Sequence, residues 1–122
     1  MEKVLVTGAS GFIGSFIVEE AIRQGFDTWA GVRATSSKKY LQDERIHFAH
    51  LDMRNTKKLC SQLLAYKTEM GGEGWDYIVH AAGATKCLHA EDFFRTNTDG
   101  TRNFIDALRE TGMVPRRFIF LS

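Results

Sequence analysis

A chain of 122 residues with 43% hydrophobic and 25% charged residues, one proline and eleven glycines amounts to a single globular domain and argues against a disordered chain. The formal charge of +1 supplies no global field for nucleic acid or an anionic membrane, so neither partner is expected. Two cysteines, Cys60 in a helical pattern and Cys87 in a loop, read as free thiols of a reducing compartment. No apolar run approaches the roughly 18 residues of a spanning helix, so a cytoplasmic protein is expected.

Lys3 to Thr7 is a continuous apolar run of the kind buried on both faces of a parallel sheet, and it reads as the central strand. From Phe12 to Gln24, Ile13, Phe16, Ile17, Val18, Ala21 and Ile22 recur at helical spacing, with Gly25 placed as a left-handed cap. Thr28 to Arg33 is a second strand, followed by a polar loop from Ala34 to Lys39. Ile46 to Leu51 is a short third strand, after which Asp52, Met53, Arg54 and Asn55 supply turn and helix-capping chemistry. Leu59, Leu63, Tyr66 and Met70 mark the inward stripe of the next helix, which Gly71, Gly72 and Gly74 end.

Asp76 to His80 is a fourth strand stopping at Ala81, Ala82 and Gly83, small residues that leave room for something flat. Phe94, Thr98, Thr101, Ile105 and Leu108 make the stripe of a long helix from about Glu91 to Glu110, stopped by Gly112, with Gly100 inside it permitting close packing. Phe118 to Ser122 is a fifth strand. Strands alternating with helices, joined by right-handed crossovers, give an α/β doubly wound parallel sheet of the Rossmann type, order 3-2-1-4-5 and truncated after the fifth strand.

Between the first strand and first helix stands Gly8-Ala9-Ser10-Gly11-Phe12-Ile13-Gly14. Gly8 can take the positive φ of a tight exit from a strand, Gly11 allows close approach to a phosphate, and Gly14 allows the helix to pack tightly. The unpaired amides and partial positive charge at the helix start favour an anion there. A glycine trio alone also fits a simple strand-to-helix turn, and the flanking strand, helix and second strand are what single out the phosphate-binding reading.

Thr7-Gly8-Ala9-Ser10-Gly11-Phe12-Ile13-Gly14 resembles the TGxxGFIG fingerprint of the extended short-chain dehydrogenase/reductase family, the NAD(P)-dependent epimerase/dehydratases. Further matches fall in the same order: Leu51-Asp52-Met53-Arg54-Asn55 is similar to the acidic turn after the third strand, and His80-Ala81-Ala82-Gly83 to the end of the fourth. Asn97-Thr98-Asp99-Gly100-Thr101 resembles the family's NxxGT helix, and Phe118 to Ser122 its fifth strand. The resemblance covers the whole chain.

It implies a pyrophosphate over Gly8, Ser10, Gly11, Phe12 and Ile13, with the Phe12 and Ile13 amides donating. It implies that Asp52 accepts from the adenine amino group beside the Met53 amide, that Ala81, Ala82 and Gly83 line the path to the nicotinamide, and that Asn97 bonds backbone or water near the catalytic end. Without the resemblance, Asp52 reads equally as a turn aspartate and Asn97 as a helix residue bonding locally.

Arg33 departs from an NAD-type site, where an acid near the end of the second strand holds the ribose hydroxyls; no acid occurs between Thr28 and Gln42. Its guanidinium can grip a 2′-phosphate with Ser36, Ser37, Lys38 and Lys39 nearby, so NADP is expected over the alternative, NAD. The competing reading of Arg33 is a solvated loop cation. His80 reads as a bonded strand-end histidine, and His47, His50 and His89 share no ligand spacing, so no metal is expected.

The family's hydride chemistry uses a Tyr-x-x-x-Lys pair and a Ser or Thr beyond the fifth strand. Tyr40, Tyr66 and Tyr77 have Glu44, Met70 and Ala81 four positions on, so no catalytic residue is assigned. The expectation is therefore the N-terminal, dinucleotide-binding part, residues 1–122, of an oxidoreductase or nucleotide-sugar epimerase/dehydratase acting at a carbonyl or sugar carbon. This piece is expected to be inactive alone, with its small-molecule substrate bound by the longer parent. The apolar fifth strand would lie at an open edge, where a second copy or crystal neighbour is expected to cover it. Two rival readings are an NADP-sensing regulatory module without turnover and a structural domain with a degenerate pocket.

Overall fold

The computed structural model describes residues 1–33, 39–81 and 100–121. Eight elements follow one another in them: β1 (Lys3–Thr7), α1 (Phe12–Arg23), β2 (Asp27–Val32), β3 (His47–His50), α2 (Thr56–Glu69), β4 (Tyr77–His80), α3 (Gly100–Thr111) and β5 (Arg117–Phe120). The strands form one sheet in the order β3-β2-β1-β4-β5, every neighbouring pair parallel, which is the order expected from the sequence.

Alternation along the strands divides the core between two faces. Val4, Val6, Ala30 and Val32 pack with Val18, Ala21 and Ile22 of α1. Leu5, Trp29 and Ile78 turn the other way, against Leu59 and Leu63 of α2 and Phe104, Ala107 and Leu108 of α3. Burial on both faces explains why β1 reads as an unbroken apolar run.

Each helix is bounded by local chemistry. The Asn55 side chain accepts from the Lys58 N–H at 3.0 Å and starts α2. Past α1, Gly25 N–H bonds the Ile22 carbonyl and Phe26 N–H the Ala21 carbonyl, a paired closure repeated at Gly71-Gly72 after α2 and Gly112-Met113 after α3.

Two inward stripes differ from expectation. Ile13 and Phe16 are 56% and 63% exposed and Phe12 77%, while Gly14 and Ser15 face the core. Periodicity reports which residues share a face but not which face meets the sheet, and α1 starts so close to the β1 turn that only small side chains fit inward. On α3, Phe104 and Ala107 are buried beside Leu108, and Ile105 is only half-buried. The strand edges also move: β2 begins at Asp27 and leaves Arg33 outside, and β5 ends at Phe120. β5 lies at the sheet edge with Ile119 and Phe120 about half exposed, while Phe118 packs against the core.

Candidate functional site

Register brings the strand ends to one line. Thr7 sits level with Gly31 on one side and His80 on the other, and Val32 with His50. The residues that first leave β1, β2, β3 and β4, namely Gly8, Arg33, Leu51 and Ala81, therefore lie together at the point where the strand order turns from β2 to β4 across β1. That is where open parallel sheets form their binding crevice.

The turn after β1 is shaped by two glycines. Gly8 adopts φ +64°, and its carbonyl accepts from the Gly11 N–H at 3.2 Å. A Cβ on Gly14 would lie 2.2 Å from the Gly8 oxygen, so no larger residue fits without moving backbone. The tight approach is thus between the first turn of α1 and the β1 exit. Gly11 is the N-cap of α1, extended at φ −76° and ψ 169°; it makes no side-chain cap bond, and the first turn carries no acid. The Phe12 and Ile13 side chains point outward, Ser10 is half-buried, and the Ser15 hydroxyl donates back to the Phe12 carbonyl at 2.9 Å. A helix start with donor amides and no carboxylate of its own suits an anion.

After β3, the Leu51 N–H still bonds the Val32 carbonyl at 3.1 Å, and the chain then turns. Asp52 Oδ1 accepts from the Arg54 N–H at 3.0 Å and from Arg54 Nε at 3.2 Å, and Lys58 Nζ stands 3.7 Å from Oδ2. The Arg54 guanidinium bond first, then its backbone N–H, holds the Asp52 carboxyl below the usual carboxylate range. Met53 packs partly against the core. Gly100 passes Met53 at ordinary contact, 3.5 Å for an added Cβ, so it is less tightly confined than expected.

The end of β4 is tied to β1 and α3 through His80, which is 2% exposed. Its Nδ1 bonds the Thr7 hydroxyl at 2.7 Å, its Nε2 the Thr101 hydroxyl at 3.0 Å, and Ala81 N–H donates to the same Thr7 oxygen at 3.1 Å. Burial lowers the His80 pKa to about 4, so the ring is neutral. His80 is the bonded strand-end histidine that the sequence suggests.

Arg33 is the first residue beyond β2 and is exposed. Lys39 lies with its ammonium 5.4 Å from the Tyr40 ring centroid. Ala81 follows β4 and is buried. Ala82, Gly83 and Asn97 lie outside the described residues, as do Ser36, Ser37, Lys38, Cys87, His89, Phe94, Thr98 and Ser122. Cys60 is a free thiol whose Sγ donates to Glu110 at 3.2 Å, with its pKa pushed up by burial and then by that carboxylate. Among the described residues no group of three His, Cys, Asp or Glu is placed to hold a metal ion, and no helix is long and apolar enough to cross a membrane.

Thr7 and Thr101 were missed as partners of His80, as were Gln62 and Asn103, which touch the Asp52 turn. A signal existed for the first: Thr7 and His80 both end an apolar strand on a polar side chain, and parallel neighbours bring such ends level. Gln62 and Asn103 carry no pattern; only the packing of α2 and α3 reveals them.

The profile of the NAD-dependent epimerase/dehydratase family matches residues 4–122. The chain belongs to that family. A ceramide reductase from Caulobacter vibrioides is 28% identical over 98% of this chain and 34% of its own length. UDP-glucose 4-epimerase from Thermus thermophilus, solved with NAD, is 26% identical with a TM-score of 0.67, over 91% of this chain and 35% of that one. The crystal structure of gox2253 gives a TM-score of 0.76 at 25% identity, over 98% and 34%. The chain thus spans about a third of the length of the relatives it matches. Those relatives include epimerases, a dehydratase and reductases.

Proposed function

We propose that residues 1–122 form the dinucleotide-binding part of an oxidoreductase of the reductase or epimerase/dehydratase kind, and that the dinucleotide is NADP. The observation that carries this is the start of α1: a glycine N-cap without a side-chain partner, no acid in the first turn, and a site at the turning point of the sheet. The pyrophosphate lies over Gly8, Ser10 and Gly11, accepting from the Phe12 and Ile13 amides. Adenine sits at Asp52 and Met53, and the nicotinamide side runs past Ala81, Ala82, Gly83 and Asn97. When bound, the dinucleotide supplies or accepts a hydride at a carbonyl or sugar carbon of a small-molecule substrate; this part of the protein binds and orients it.

The choice of NADP rests on Arg33. It stands exposed directly past β2, where an NAD-type site carries an acid, and no acid occurs between Thr28 and Gln42. A guanidinium there matches the geometry and charge of a 2′-phosphate. Titration of the protein with NADPH and NADH tests it. NADPH binds at least about tenfold more tightly, and Arg33→Ala removes about tenfold or more of that affinity, the scale of one charge-assisted hydrogen bond, while leaving NADH within about threefold. NADH binding as tightly as NADPH contradicts the assignment.

A further inference from the structure

The turn after β3 is gripped from two helices. Asp52 N–H donates to Gln62 Oε1 of α2 at 2.8 Å, and the Met53 carbonyl accepts from Asn103 Nδ2 of α3, also at 2.8 Å. These bonds hold the peptide units on either side of the one that joins Asp52 to Met53. With both neighbours held, the middle unit, which carries the Met53 N–H, keeps only rotation about its own Cα–Cα axis, and its Asp52 carbonyl, accepting from the Asn55 N–H at 3.4 Å, restrains that rotation. The Asp52 carboxylate is held in turn by Arg54, so donor and acceptor of the turn are both pre-oriented.

Asn103 is a costly choice on structural grounds alone, since asparagine is a weaker helix former than the alanine or leucine found elsewhere on α3. Two residues earlier on the same helix, Thr101 bonds His80 at the end of β4. The beginning of α3 thereby reaches both sides of the crevice, one through a hydroxyl and the other through an amide.

We infer that Asn103 is a positioning residue that sets base selectivity at the dinucleotide site, by holding the Asp52-Met53 backbone where it reads the adenine edge. This rests on the assignment of adenine to Asp52 and Met53. A preorganised pair of hydrogen-bonding groups discriminates between bases because a mismatch leaves one of them unsatisfied; a loosened turn adapts to either base and discriminates less.

The test compares NADPH with reduced nicotinamide hypoxanthine dinucleotide phosphate, in which an oxygen replaces the adenine amino group, by equilibrium titration of the full protein. The wild type prefers the adenine form by about tenfold or more, the scale of one hydrogen bond to a carboxylate. Asn103→Ala brings that ratio to within about threefold of unity and changes hypoxanthine-form affinity by less than about threefold. Asn103→Asp keeps the size of the side chain, removes the donor and gives the same loss of ratio, which preserves the test if the alanine variant does not fold. Equal weakening of both cofactors in the Asn103 variants, with the ratio intact, overturns the inference and makes Asn103 merely structural. Asp52→Asn separates the two layers of the argument: if it leaves the ratio unchanged, the adenine assignment itself fails and this inference falls with it. If it collapses the ratio and Asn103→Ala does not, only the inference fails.

Discussion

His80 has both ring nitrogens bonded to threonine hydroxyls and almost no solvent contact, and burial disfavours the charged ring that proton uptake would create. Its pKa falls to about 4 from an unfolded value near 6.5. Between those values the unfolded chain binds the proton and the folded one does not, so stability falls as pH drops from 6.5 to 4 and changes no further on this account below 4. The span corresponds to about 3 kcal/mol. Denaturant midpoints measured from pH 7 to 4 are expected to slope downward in the wild type and to lose that component in His80→Gln; parallel slopes contradict the assignment. Because the Thr7 oxygen bonded to His80 also receives the Ala81 N–H, the same histidine fixes the β4 end of the crevice.

The short segment between β3 and α2 performs two tasks in four residues. Asp52 closes a turn on Arg54, and Asn55 caps α2 through Lys58. Asn55→Ala leaves a helix-start amide without its acceptor and is expected to lower stability by about 1 kcal/mol, read as a lower denaturant midpoint, whereas Asn55→Asp stays within a few tenths of a kcal/mol of the wild type. This segment was legible in the sequence because turn and cap residues act on neighbours two or three positions away. The inward face of α1 was not. Ile13 and Phe16 look like core residues in the linear pattern, and only the 2.2 Å approach that an added Cβ on Gly14 would make to Gly8 shows why the small residues face inward. The bonds from Gln62 and Asn103 to the Asp52 turn span 10 and 50 residues, beyond any local pattern.

The sheet order was readable because β1, β2 and β4 are near-continuous apolar runs separated by helical patterns and glycine stops, which leaves few right-handed parallel arrangements. That order places the glycine turn, Arg33, the Asp52 turn and Ala81 along one end of the sheet, where a bond joins residues 74 positions apart, Thr7 and Ala81. Dinucleotide binding of the kind proposed requires the start of α1 to receive phosphate, and Gly11→Asp isolates that requirement. The Gly11 backbone is extended and, among the described residues, an added Cβ meets the Gly8 oxygen alone, at 3.4 Å, so aspartate fits there and is among the best helix N-caps. Its carboxylate would stand where the phosphate is proposed to bind and repel it. Titrating wild type and Gly11→Asp with NADPH, alongside their thermal midpoints, is expected to show tight binding in the wild type and a loss of at least about a hundredfold in the variant, with its midpoint unchanged or raised, since charge repulsion and a blocked set of donors each cost about tenfold. Equal NADPH affinity in the two proteins, or none in the wild type, contradicts the account.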